Sequence, residues 1–141
     1  MRWLSRWNLI RWRQTLLPLG RRGEAVAARY LQRLGYLIVA RGYRDRIGEL
    51  DLVAVDGRTV VFVEVKTRSS HEGGQPAEAV HETKQRQLTR AALSYLRRHD
   101  LLEEQARFDV IAVTWPSDAR KPSIAHFPNA FEAIGQWQFF C

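Results

Sequence analysis

The chain has a single cysteine among its 141 residues, and it is the last one, Cys141. No disulfide can close within it, so the fold must rest on a buried core, which one domain of this length can supply. A lone terminal thiol fits a reducing compartment, and the cytoplasm is the expected location. No apolar run approaches the ~20 residues that cross a bilayer, which excludes a spanning helix. The four histidines, His71, His81, His99 and His126, show no metal-ligand spacing and are given no role. Internal repeats and low-complexity segments are absent as well. Acidic charge is missing from the first 22 residues, which hold six arginines. Beyond them, 16 basic residues face 15 acidic ones, so the net charge of +7 belongs to the N-terminal segment and not to the domain.

That segment also carries Trp3, Trp7 and Trp12. Arginines interrupt its apolar stretch and no small-residue cleavage site follows, so it does not read as a secretory signal. Residues 1–20 are expected to form a flexible extension, with arginine and tryptophan suited to phosphates or a lipid interface. Residues 21–131 form the expected domain, and 132–141 a C-terminal extension.

Hydropathy patterning orders the domain. Ala27, Leu31 and Leu34 recur at helical spacing over Glu24–Leu34, and Gly35 stands where a helix stops. Tyr36–Arg41 reads as a strand. Glu49–Asp56 and Thr59–Arg68 are β-rich runs around Asp56-Gly57-Arg58, a hairpin signal. Ser69–Pro76 is a loop. A second helix is expected from Ala77 or Thr83 to His99, with Leu88, Ala91, Ala92, Tyr95 and Leu96 on its apolar side. Arg107–Trp115 and a short run near Ser123–Phe127 complete the set. The second helix can cross over to place the fourth strand parallel to the third. The expected class is α/β, a central mixed sheet flanked by helices in the order α-β-β-β-α-β-β.

Chemistry concentrates in Val60-Val61-Phe62-Val63-Glu64-Val65-Lys66. By alternation Glu64 and Lys66 share a face with Phe62. A carboxylate and an ammonium on an otherwise buried strand are costly unless paired with each other, a metal or a substrate. If Gly57-Arg58 is the hairpin loop, Asp56 faces Thr59 and Asp51 falls opposite Glu64. If Asp56-Gly57 is the loop, Asp51 is diagonal to Glu64 on the same side, whereas a three-residue loop separates their faces. Two neighbouring carboxylates repel, and a hard divalent cation relieves that repulsion. A magnesium ion so held can activate water and neutralise phosphoryl charge, with lysine orienting the water. A cross-strand ion pair on a solvated sheet accounts for the same residues, and both readings stand at this point.

The ordered segments Gly23-Glu24 with Tyr30-Leu31, Gly48-Glu49-Leu50-Asp51-Leu52-Val53-Ala54 and Phe62-Val63-Glu64-Val65-Lys66-Thr67-Arg68 resemble the YraN-like family of uncharacterised bacterial proteins. Lys84, Ala91-Ala92, Tyr95-Leu96 and Arg107-Phe108-Asp109-Val110 continue the match across residues 21–131. The family looks like part of the restriction-endonuclease-like PD-(D/E)xK superfamily, akin to archaeal Holliday-junction resolvases. The resemblance implies Asp51 and Glu64 as metal-binding acids, Lys66 as the catalytic lysine, and Glu24 as the first-helix glutamate that reaches a metal or its water. It implies magnesium or manganese as cofactor, DNA as partner, and phosphodiester hydrolysis as the reaction. Ile47-Gly48-Glu49-Leu50-Asp51 lacks the proline of the superfamily's name. The family's asparagine after the first strand is replaced by Gly42 or Tyr43, which bears only on a peripheral contact.

Arg44, Arg46 and Arg68 flank this set and are the candidate phosphate contacts, while Lys84 either touches phosphate or snorkels at the start of the second helix. Glu49 shares the parity of Asp51 and suits a hydrogen-bonding or surface role. Arg86, Arg90 and Arg97 form an outer, solvated stripe. A nucleic-acid-binding module of the same fold without turnover is the alternative, and recruitment to a membrane or complex through the Arg/Trp extension is a third reading. Resolvases of this fold commonly dimerise, but no residue here marks an interface for a homodimer.

Overall fold

The computed structural model describes residues 22–69 and 80–135. The N-terminal extension, the Ser69–Pro76 loop beyond its first residue, a helix start at Ala77 and residues 136–141 lie outside those residues. Helix α1 spans Arg22–Arg33, with Glu24 in its first turn and Arg33 in its last, where each complements the helix dipole. It ends in a Schellman motif: the Tyr36 amide donates to the Leu31 carbonyl and that of Gly35 to the Gln32 carbonyl. Gly35 takes the left-handed conformation that this motif requires, φ 94°.

Strands β1 (Leu37–Arg44), β2 (Glu49–Asp56) and β3 (Thr59–Arg68) form an antiparallel meander. Helix α2 (Glu82–Arg98) then crosses over, β4 (Ala106–Thr114) pairs in parallel with β3, and β5 (Ser123–Phe131) closes the sheet antiparallel to β4. The sheet order is β1-β2-β3-β4-β5. This is the expected α-β-β-β-α-β-β order, an open mixed sheet between two helices, consistent with a nuclease-like fold. Several boundaries shift by a residue or two, α1 and β4 among them, and three differences bear on the site and the sheet. Strand β1 continues through Gly42 to Arg44, helix α2 begins at Glu82, and β5 runs four residues past Phe127.

The two faces of the sheet bury separate cores. Val53, Val55, Val60, Phe62, Phe108 and Val110 pack against Leu88, Ala91, Ala92, Tyr95 and Leu96 of α2. Leu52, Ala54, Val61, Val63, Ile111 and Val113 pack against Ala27, Ala28 and Leu31 of α1. Strand β3 is thus covered on both sides, which explains its near-continuous apolar run. The start of α1 lies so close to β3 that a side chain at Gly23 would overlap the Thr67 hydroxyl.

Candidate metal and phosphate site

The β2–β3 register fixes the centre of the site. Asp56 faces Thr59, Val55 faces Val60, and the ladder continues to Leu52 opposite Val63. The loop is therefore Gly57-Arg58, with positive φ (61°) at Gly57 and not at Arg58, as a type II′ turn requires. Beyond Leu52 the backbone ladder stops. There the Asp51 carboxylate takes over: its Oδ2 accepts the Val65 amide at 2.8 Å. This bond holds Asp51 against β3 beside Glu64.

Glu64 is only 7% exposed. Lys66 Nζ lies 3.5 Å from its Oε1, and Lys84 Nζ, from the first turn of α2, lies 3.6 Å from the same oxygen. Both separations exceed the 2.7–2.9 Å of a good charge-assisted hydrogen bond. The balance of forces on Glu64 goes against ionisation. Burial raises its pKa most, the Asp51 charge and hydrogen bond raise it further, and the two lysines only partly counter, so it is pushed up to about 7.

Asp51, Glu64, Lys66 and Lys84 are therefore brought together. Glu24 is not brought to the pair. It sits in the first turn of α1, on the opposite side of the sheet from α2, and its charge bears on Arg41. Among the described residues no three His, Cys, Asp or Glu side chains gather as a metal-holding group. Glu49 accepts from Arg44 Nη2 at 2.6 Å, an exposed pair at the edge of the site. Arg46 is exposed in the β1–β2 connection. Arg68 donates from Nε to the Thr114 hydroxyl at 3.3 Å and flanks the lysine end of β3.

A second charged cluster was not anticipated from the sequence. Asp109, 0% exposed on β4, accepts from Arg107 Nε at 3.0 Å and from the Asn129 amide at 2.9 Å, and its Oδ2 lies 2.7 Å from His126 Nε2. Arg107 also reaches Asp56 at 3.1 Å and the Tyr36 hydroxyl at 2.7 Å. Burial pushes the Asp109 carboxyl up, but the hydrogen bonds from His126, Arg107 and Asn129 together with the Arg107 charge outweigh it and hold it below its usual value. These residues tie β5 and the start of β1 to β4. Arg107 and Asp109 share a face of an apolar strand, and that alternation was the available signal.

An open mixed sheet between two helices, with two acids and a lysine on its central hairpin, is consistent with the nuclease-like class of α/β domains. More particularly, the chain belongs to the uncharacterised protein family UPF0102, the YraN-like family, whose description matches residues 23–113. It is similar to a UPF0102 protein of Geobacter sulfurreducens, 56% identical over 115 residues, covering 81% of this chain and 88% of that one. A UPF0102 protein of Rhodopirellula baltica is 49% identical over 125 residues, covering 86% and 75% of the two chains, respectively. Another from Geobacter metallireducens is 51% identical over 114 residues, covering 81% and 92%.

Proposed function

We propose that this protein is a divalent-metal-dependent hydrolase of phosphodiesters in nucleic acid, with DNA as its substrate. The observation that carries the reading is the geometry at Glu64: a carboxyl only 7% exposed stands beside Asp51, with the Lys66 and Lys84 ammonium groups 3.5 and 3.6 Å from one of its oxygens. Burial and the adjacent Asp51 push its proton affinity up in spite of both lysines. In a simple surface ion pair the lysines would pull the carboxyl down and water would screen the rest. A buried carboxyl beside a second acid, with both ammonium groups beyond good hydrogen-bond distance, is an environment that a cation relieves. An all-oxygen donor set favours a hard ion, magnesium or manganese, over zinc.

Asp51 and Glu64 would hold the ion, which when bound supplies Lewis-acid polarisation of the phosphoryl group and a more acidic water. The Val65 amide fixes one oxygen of Asp51, which would hold this carboxylate in place beside Glu64 for an ion. Lys66 would orient the attacking water and balance charge as the new P–O bond forms and the ester P–O bond to the leaving strand breaks, the departing oxygen taking its proton from solvent. Lys84 neutralises the phosphate as it approaches, and Arg68 and Arg46 contact the neighbouring backbone phosphates, which position a strand without reading its sequence.

Magnesium titration by calorimetry and single-turnover cleavage of a mixed DNA panel, at matched salt, test this. Asp51→Asn should weaken magnesium binding. Lys66→Ala should leave metal binding intact and lower cleavage by ~10²–10⁴-fold, the range for a lost acid–base partner. Retained metal binding in Asp51→Asn with unchanged cleavage in both variants would overturn the assignment. Metal and DNA binding without cleavage by the parent would point to a binding module instead.

A further inference from the structure

Beside the carboxylate pair lies a cavity of about 290 Å³ lined by Ile47, Gly48, Glu49, Lys84, Gln87 and Leu88. Lys84 belongs both to its wall and to the site, since the same Nζ stands 3.6 Å from Glu64. Glu49, on the other wall, is two residues from Asp51. Whatever enters the cavity is therefore next to any phosphate handled at the acid pair.

The wall at Ile47 is built rather than incidental. Ile47 is 56% exposed, and the turn that carries it is clamped from beneath by Asp45. Asp45 Oδ1 accepts from the Ile47 amide at 2.8 Å and the Gly48 amide at 3.1 Å, while Oδ2 accepts from Ser94 of α2 at 2.7 Å. Burial pushes the Asp45 carboxyl up, but these bonds and Arg98 outweigh it and keep it below its usual value. The turn also packs closely on α2, where a methyl at Gly48 would sit 3.4 Å from the Ala91 Cβ. The backbone that presents Ile47 is thereby fixed at the mouth of the cavity. The opposite wall offers the exposed Gln87 amide, both donor and acceptor, above the apolar Leu88.

We infer that this cavity receives an unpaired nucleobase adjoining the phosphate at Asp51 and Glu64, so that the substrate is single-stranded or presents unpaired nucleotides. The inference rests on the nuclease reading above. An apolar side chain can cover a base face, an amide can hydrogen-bond its edge and a lysine can hold the phosphate beside it, which are the groups that an unpaired nucleotide leaves exposed. A base within a continuous duplex keeps its faces stacked and its edge paired, and must be unstacked and unpaired, at a cost in free energy, before it can enter.

Fluorescence anisotropy with the full chain tests this, with calcium in place of magnesium to prevent cleavage. The probes are a short labelled oligothymidine, an abasic deoxyribose-phosphate chain of equal length, and a blunt duplex, all at matched salt because the N-terminal arginines add sequence-independent affinity. The parent should prefer oligothymidine to the abasic chain by roughly tenfold, the scale of one base contact. Ile47→Ala and Gln87→Ala should each reduce that preference, and the double variant should lose it while its affinity for the duplex is unchanged. Both positions are exposed, so the variants should melt like the parent. An equal preference in the double variant, equal binding of both chains by the parent, or no binding of any probe would overturn the inference. Base-dependent binding that the double variant loses, with no cleavage in magnesium, supports the cavity and refutes the hydrolase. Magnesium-dependent cleavage without base preference does the reverse.

Discussion

Replacing Glu64 with glutamine keeps the shape of the side chain and removes its capacity to ionise. In the folded protein the Glu64 proton is held up to about pH 7, against an ordinary value of 4.5, and the first cause is burial. Because the folded value is the higher one, the folded state binds the proton more tightly than the unfolded chain between these limits. Folding near pH 6 takes up a proton. Wild-type stability therefore falls as pH rises through this window, and the loss is complete above about pH 7. At 1.36 kcal/mol per pH unit the full loss is about 3 kcal/mol. Glu64→Gln should escape it. Near pH 5, where Glu64 is already protonated in the fold, variant and parent should differ little. Near pH 8 the variant should be the more stable by about 3 kcal/mol, on the order of 10 °C in Tm for a domain of this size. Urea and thermal melts followed by circular dichroism, in EDTA and across this pH range, measure the difference directly. A variant equally or less stable than the parent at pH 8, with no change in the gap between pH 5 and pH 8, would refute the reasoning. The lysines would then compensate the burial of Glu64 fully, and the unrelieved carboxylate that supports cation binding would not exist.

Two further perturbations probe the scaffold. Asp109→Asn puts a neutral amide at a position closed to water, opposite His126 and an Arg107 left with the half-exposed Asp56 as its carboxylate partner, and should cost about 3 kcal/mol in urea denaturation near neutral pH. The Asp109 carboxyl lies below its usual value in the fold, so its contribution is present above about pH 4 and lost as pH falls through the folded value. A loss under 1 kcal/mol would mean the cluster does not hold β5. Gly23→Ala should drive the start of α1 away from the Thr67 hydroxyl and cost on the order of 1–3 kcal/mol. Thr67→Ala in the same chain should recover part of that loss, which a double-mutant cycle on melting would read as a favourable coupling.

What was legible in the sequence was local. The bounds of β2 and β3 followed from alternation around Gly57, because a two-residue turn with positive φ at its first position leaves little freedom of register. The shared side of Glu64 and Lys66 followed from the same alternation, as did the apolar side of α2. What was not legible depends on partners distant in sequence. Strand β5 extends to Phe131 because Phe131 pairs with Phe108 past an irregularity in the ladder, and Pro128 in that stretch argues locally against a strand. The placement of Glu24 depends on which side of the sheet α1 covers, and helical spacing does not encode that. The substitution of a carboxylate for a ladder bond at Asp51 also follows only from the divergence of β2 from β3 after Leu52.

The parallel pairing of β3 with β4 has a kinetic consequence. Asp51, Glu64 and Lys66 all lie on one hairpin with a two-residue loop, the kind of element that closes in microseconds. The β3–β4 ladder, by contrast, must wait until the chain between Arg68 and Ala106, helix α2 included, has folded back across the sheet. Closing so long a loop loses entropy before its contacts form, which makes it the slower event. The acids are thus assembled while still wet, and they are dehydrated only when α2 and β4 dock. The electrostatic penalty consequently falls on the late, rate-determining part of folding. The domain should fold faster in acid, where Glu64 arrives already protonated, than at neutral pH, where that final docking must first draw a proton from the solvent.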